Sequence, residues 1–279
     1  MPAGGEQAFI PDRRGNRLER HLFSVAPDGR SHRLYLRASP EVAAQFERFC
    51  PPGQNYLPVN AYVPGVEGWT HCLGAAGIPD ARVGELADLL SEVLTLPRLS
   101  PIELAIALDW YKIPADDVES RDWRNTLDGS LVHMGKYWTS TPEAMARAGR
   151  MLVRRLVAAV HRHPALASAN AVVAVPGHDS AYLSFGERLA ANVAETLGVP
   201  LIKVTTRREF RPPAKELSGI TGSALTEEFS VAESLTAATV LIVDDVLRTG
   251  QTMSAVAAAA IKADAARAYG LAGVRTLRS

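Results

Sequence analysis

Residues 240–253 read VLIVDDVLRTGQTM. Four apolar residues run straight into Asp244 and Asp245, and Thr249, Gly250, Gln251 and Thr252 follow before an alanine-rich stretch. An unbroken apolar run of this kind describes a strand covered on both faces, as in a parallel sheet flanked by helices. Adjacent carboxylates at the end of such a strand repel one another, so hydroxyl donors, a metal ion or a basic side chain must compensate them. The Gly-containing turn behind them opens a helix, whose N-terminus presents unpaired backbone N–H groups to an anion. Acceptors beside an anion cradle suit a sugar phosphate, with its diol on the carboxylates and its phosphate in the loop. An acidic dipeptide or a Thr-Gly dipeptide alone would do no more than cap a helix. The ordered string of strand, acidic pair, Thr-Gly-Gln-Thr and helix carries the reading.

The same alternation of strand and helix extends through the C-terminal half. TPEAMARAGRMLVRRLVAAVHRH (141–163) reads as a long helix capped by Thr141, with Pro142 in its first turn. ANAVVAVPG (169–177) is a strand that breaks at Pro176 and Gly177, SFGERLAANVAETLG (184–198) a helix ending at Gly198, and PLIKVTT (200–206) a strand. A basic loop, RREFRPPAKELSG (207–219), follows. ATVLIVDDV (238–246) is the next strand, residues 251–270 a helix closed by Gly270, and LAGVRTL (271–277) a short last strand. This order predicts an α/β fold with parallel pairing and right-handed crossovers. Ligands in such sheets sit beyond the carboxyl ends of the strands. That places them after Val175, Thr206 and Val243.

The N-terminal half is less regular. Residues 20–38 read as a hairpin around Pro27, Asp28 and Gly29, and 39–49 as a helix with Ser39 as cap and Pro40 at its first position. Residues 50–78 read as irregular. DARVGELADLLSEVL (80–94) is an amphipathic helix, with Leu86, Leu89, Leu90 and Leu94 at helical spacing. SPIELAIALDWY (100–111) reads as a further helix, and 113–130 as a polar, turn-rich junction. The expected division is a mixed α+β region of unassigned role at 1–120 and an α/β domain at 121–279.

Bulk properties bound the function. The chain has 279 residues, with 30 Lys plus Arg against 30 Asp plus Glu, so net charge lends no support to a general nucleic-acid or anionic-membrane role. Its two cysteines, Cys50 and Cys72, form neither a disulfide framework nor a zinc-site spacing. The first twenty residues hold no apolar core of the signal-peptide type, and the expected location is the cytoplasm. A phosphorelay receiver also has a strand ending in an acidic pair, but only 34 residues follow Asp245, too few for its remaining units. Neither the G-x-x-x-x-G-K-[ST] loop nor the G-x-G-x-x-G fingerprint occurs.

VLIVDDVLRTGQT resembles the phosphoribosyl-pyrophosphate (PRPP) binding signature of type I phosphoribosyltransferases. More weakly, TLDGSLVHMGKYW (126–138), VVAVPGHDS (172–180), RPPAKELSG (211–219) and EEFSV (227–231) resemble segments of the ComF-like branch. Together these cover roughly residues 125–275. The resemblance implies a phosphoribosyltransferase-type, Rossmann-like domain that transfers the ribose 5-phosphate of PRPP to an acceptor and releases pyrophosphate. Asp244 and Asp245 would hold the ribose 2′- and 3′-hydroxyls and serve Mg²⁺, which bridges pyrophosphate and ribose oxygens mostly through water. Thr249, Gly250, Gln251 and Thr252 would cradle the 5′-phosphate. Pro176, Gly177 and His178 would approach the pyrophosphate through backbone amides, and Arg207, Arg208, Arg211 and Lys215 would close over it. Arg248 stands where purine-salvage relatives place an acid, which points to an acidic or phosphorylated acceptor.

The zinc-binding cysteines often found at the front of ComF-like proteins are absent. The rival reading is a non-catalytic PRPP or nucleotide sensor whose N-terminal half binds a partner or nucleic acid. Homodimers are common in folds of this kind. Lys136 and Tyr137 read as structural. His161 and His163 are expected to serve a helix C-terminal dipole. Trp110, Trp123 and Trp138 read as packing residues near the junction, with a stacking platform for an aromatic acceptor as the alternative.

Overall fold

The computed structural model describes residues 9–25, 31–47, 56–57, 68–76, 81–115, 118–136, 141–178, 182–207 and 227–277. The chain forms two compact units, Met1–Pro97 and Arg98–Ser279. The division falls at 97/98, ahead of the boundary read at 120/121 from the polar run.

In the first unit, β1 (Arg20–Val25), β2 (Ser31–Arg37), β3 (Tyr56–Leu57) and β4 (His71–Ala76) form an antiparallel sheet in the order β1–β2–β4–β3. The expected hairpin is the β1–β2 pair. β3 and β4 correct the irregular reading of 50–78, whose Pro and Gly content hid two short strands. Helices α1 (Pro40–Glu47) and α2 (Ala81–Glu92) fall within the expected spans, but α2 stops at Glu92, so Leu94, read as part of this helix, lies beyond it in a short strand. Val42 and Phe46 of α1 and Leu86, Leu89 and Leu90 of α2 are fully buried, the helical spacing visible in the sequence. β5 (Leu94–Thr95) ends this unit and is bridged by Asn16.

The second unit contains β6 (Leu104–Trp110), β7 (Ala171–Ala174), β8 (Leu201–Ile202), β9 (Val204–Thr206), β10 (Phe229–Val231), β11 (Thr239–Leu247) and β12 (Arg267–Arg275). Five of these run parallel in the order β6–β12–β11–β7–β8. β9 and β10 pair antiparallel as a separate ribbon. The helices are α3 (Leu127–Lys136), α4 (Pro142–Arg162), the short α5 (Pro164–Ala167), α6 (Phe185–Leu197) and α7 (Gln251–Lys262). Val240 to Val243 are all buried, as a strand covered on both faces requires. Right-handed crossovers put α6, between β7 and β8, and α7, between β11 and β12, on opposite faces. Accordingly α3, α4 and α6 pack against one another, while α7 packs on β10, β11 and β12.

Four expectations change here, the first being the turn-rich reading of 113–130, since α3 already opens at Leu127. Residues 104–110, read as helix, form β6 and pair with β12. A strand buried on both faces carries no alternation, so LAIAL cannot be told from a buried helix by period alone. The last helix stops at Lys262, and Gly270 lies inside β12. Alanine favours helix, but Asp264 turns to φ 72° and the chain pairs from Arg267 onward. PLIKVTT divides into β8 of the main sheet and β9 of the ribbon. No helix among the described residues is long and apolar enough to cross a membrane.

Candidate functional site

From β7 the chain steps outward to β8, then returns to lay β11 on the other side of β7. That reversal opens a crevice at the carboxyl ends of β7 and β11, where parallel sheets bind ligands. The Val175 N–H donates to Val243 O at 3.1 Å, so the loop after β7 starts beside the acidic pair.

Asp244 and Asp245 lie near the carboxyl end of β11. Asp244 is half-buried and Asp245 buried. The Asp245 N–H donates to Asp244 Oδ1 at 2.8 Å, and Lys136 Nζ lies 2.9 Å from Asp245 Oδ2. The compensation demanded by two adjacent carboxylates is thus supplied in part by the last residue of α3. Burial, then the neighbouring Asp245 carboxylate, pushes the Asp244 carboxyl up to about 8, against the pull of Lys136. At neutral pH the Asp244 carboxyl therefore tends to hold its proton, so it can donate as well as accept toward an incoming hydroxyl.

Behind the pair, Arg248 is partly exposed, Thr249 and Gln251 are exposed, and Gly250 is buried. Gly250 is the N-cap of α7 with φ 82°, a left-handed conformation that favours glycine. Ser254 N–H donates to Gly250 O, the first helical bond, so the N–H groups of Gln251, Thr252 and Met253 have no acceptor within the helix. The Gln251 N–H donates to Thr249 Oγ1 at 3.4 Å, a long bond within the same turn that an anion would replace. Three N–H groups, two threonine hydroxyls and a positive dipole end form the anion cradle that the sequence suggests. The Arg275 guanidinium is buried and donates to Leu247 O at 3.3 Å, tying β12 to this loop.

On the β7 side Pro176 is buried, Gly177 partly exposed and His178 exposed. The Gly177 N–H donates to Glu187 Oε2 at 3.2 Å. The same oxygen accepts from Ser184 N–H at 2.8 Å, and Ser184 Oγ accepts from Glu187 N–H at 3.1 Å, the capping box that starts α6. An anion approaching Gly177 must therefore displace a carboxylate from its amide. The Ser-x-x-Glu spacing at 184–187 was available in the sequence as a capping signal.

Arg207 ends the β9 ribbon, its side chain 73% exposed and 4.0 Å from Glu227. Arg208, Arg211 and Lys215 lie outside the described residues, as do Tyr137 and Trp138. Among the described residues no three His, Cys, Asp or Glu side chains cluster to hold a metal. Lys136, read as structural, is the basic partner of the pair. His163 departs from its expected role. It is fully buried, and desolvation lowers its pKa from 6.5 to about 4, so it is neutral and cannot serve a helix dipole as a cation.

No curated protein matches the chain. Among solved structures, a purine phosphoribosyltransferase from Pyrococcus horikoshii matches at 19% identity, covering 45% of this chain and 82% of its own, with a TM-score of 0.30. Residues 146–272, which run from α4 into β12 and include the acidic pair and its loop, match the family model described as the phosphoribosyl transferase domain.

Proposed function

We propose that the protein transfers the ribose 5-phosphate of PRPP to an acceptor and releases pyrophosphate. The observation that carries this reading is one continuous element. β11 delivers Asp244 and Asp245 to the crevice, and three residues later the chain enters the Gly250 turn and the N–H end of α7. Asp244 and Asp245 bind the two ribose hydroxyls. The N–H groups of Gln251, Thr252 and Met253, with Thr249 and Thr252, hold the 5′-phosphate.

The carboxylates are hard oxygen donors, the ligand type that suits Mg²⁺, an ion that keeps much of its shell as water and substrate oxygens. Mg²⁺, when bound, supplies neutralising charge for the departing pyrophosphate, with Asp244 and Asp245 as its protein partners. The C1–pyrophosphate bond loosens first, leaving positive character on the sugar, and the acceptor attacks C1. The acidic pair lies close enough to the ribose in this reading to favour that charge. Arg207, together with Arg208 and Lys215, would answer the leaving group, and Pro176, Gly177 and His178 would border it. Arg248, two residues past Val246, favours an acceptor that carries an acidic group. Assignment to the ComF-like branch is the finer form of the same reading.

One observation favours a sensing role instead. The Glu187 carboxylate occupies the Gly177 amide that a pyrophosphate would need. The two readings separate in one assay: the protein is incubated with Mg-PRPP and a panel of bases, amines and aromatic acids while pyrophosphate release is followed. Acceptor-dependent release supports transfer. PRPP binding without release for any acceptor leaves only the sensor.

A further inference from the structure

Beyond the carboxyl end of β6 lies an open cleft of about 390 Å³, lined by Tyr111, Lys112, Trp123, Asn125 and His133. That volume is within the range of small-molecule sites, roughly 300–1,000 Å³. Its frame is set by backbone bonds. Tyr111 N–H donates to Arg275 O at 2.8 Å, and Lys112 and Asn125 face each other in an isolated bridge. The Trp123 indole N–H donates to Ala115 O and Val118 O at 3.0 and 2.9 Å, which fixes the ring's edge. Tyr111 Oη lies 3.2 Å from His133 Nδ1. Lys112 Nζ donates to Ser120 O and Arg121 O, neutral carbonyls that leave its charge in place.

The chemistry of the lining is therefore two aromatic rings, an amide, an imidazole and an ammonium, with no acidic side chain among the five. Trp and Tyr rings accept a flat ring by stacking. The ammonium favours an anionic substituent, and the Asn125 amide can both donate to and accept from a ring nitrogen or carboxylate.

The cleft shares its edge of the sheet with the acidic pair. Ala272 of β12 is level with both Ala107 of β6 and Asp244 of β11, and Arg275 with both Trp110 and Leu247. Two strand spacings, about 10 Å, separate β6 from β11. α3 spans the gap: His133 lines the cleft, and Lys136, three residues on and on the same helical face, holds Asp245.

We propose that this cleft receives the acceptor, a flat nitrogen-containing aromatic acid. The acceptor role rests on the transferase reading above; the existence of an aromatic-acid site does not.

The test uses the full chain with pyridine-3-carboxylate as probe, and benzoate and adenine as comparators, titrated calorimetrically with and without Mg-PRPP. The parent is expected to bind the pyridine acid more tightly than adenine. Trp123→Ala is expected to weaken it about tenfold, the share of an aromatic contact, and Trp123→Phe to keep most of the affinity. Asn125→Ala, which removes no ring and no backbone tie, should weaken it severalfold. All three variants should bind Mg-PRPP within twofold of the parent, which also shows that they fold. No binding of the acid by the parent, or equal binding by parent, Trp123→Ala and Asn125→Ala, overturns the site. Binding of the acid by a parent that does not bind Mg-PRPP overturns the acceptor role and the transferase reading together, while leaving an aromatic-acid site in place.

Discussion

The Gly250 turn is where the account is most exposed to a single methyl group. Gly250 holds φ 82°, and a Cβ built there would lie 2.6 Å from Leu99 Cδ2 and 2.9 Å from Leu99 Cδ1. In Gly250→Ala two costs add. The left-handed conformation costs a residue with a Cβ about 1–2 kcal/mol. The overlap with Leu99 costs about 1–2 kcal/mol more, toward the low end of overpacking because a leucine end can shift. A total loss of about 2–4 kcal/mol is expected in urea unfolding. Leu99→Ala opens the space but leaves the backbone strain, so the double variant should recover only the overlap, a favourable coupling of about 1–2 kcal/mol. If the free loop relaxes away from the left-handed turn, PRPP binding must restore it, and a cost of 1–2 kcal/mol weakens affinity roughly 5- to 30-fold. Stability within about 0.5 kcal/mol of the parent, or no coupling to Leu99, would refute the geometry.

His163 predicts a pH dependence independent of the site. Its pKa is lowered from 6.5 to about 4 by burial, so the unfolded chain binds a proton that the folded chain refuses between those values. The stabilisation is complete above pH 6.5 and falls as pH drops toward 4, by about 3 kcal/mol in all. His163→Gln should flatten that slope in urea unfolding at stepped pH; an unchanged slope would show another group responsible. Gly129 lets α3 pack directly on the Tyr111 carbonyl, where a Cβ would overlap the oxygen. Gly129→Ala should push back the helix that carries His133 and Lys136. A loss of about 2 kcal/mol or more in stability is expected, with weaker binding in the cleft beside Tyr111; parent-like values for both would contradict that packing.

The strand–acid–glycine–helix string at 240–253 was legible because each part has its own local signal: an apolar run for a doubly covered strand, and a glycine where φ must be positive. A capped helix was equally plain, as Thr141 before α4 shows. β6 was not, since burial on both faces erases the alternation that marks a strand. The end of α7 was not, because alanine continues a helix in isolation and only pairing of β12 with β11 ends it. The partners of the acidic pair were hidden for a different reason. Lys136 and Asp245 are far apart in sequence, and nothing local announces that α3 ends beside β11. The same holds for Glu187 and Gly177, whose bond depends on where the loop after β7 folds back.

The central claim is that Asp244, Asp245 and the Gly250 turn form one sugar-phosphate grip, and calorimetric titration with Mg-PRPP tests it most directly. The parent should bind, with ribose 5-phosphate competing. Asp244→Asn and Asp245→Asn, which keep shape but each take one carboxyl group from the pair, should each lose about tenfold in affinity, as expected when a hydrogen-bonding partner of the ribose hydroxyls is removed. Absence of Mg-PRPP binding by the parent, or parent-like binding by both variants, would contradict the account.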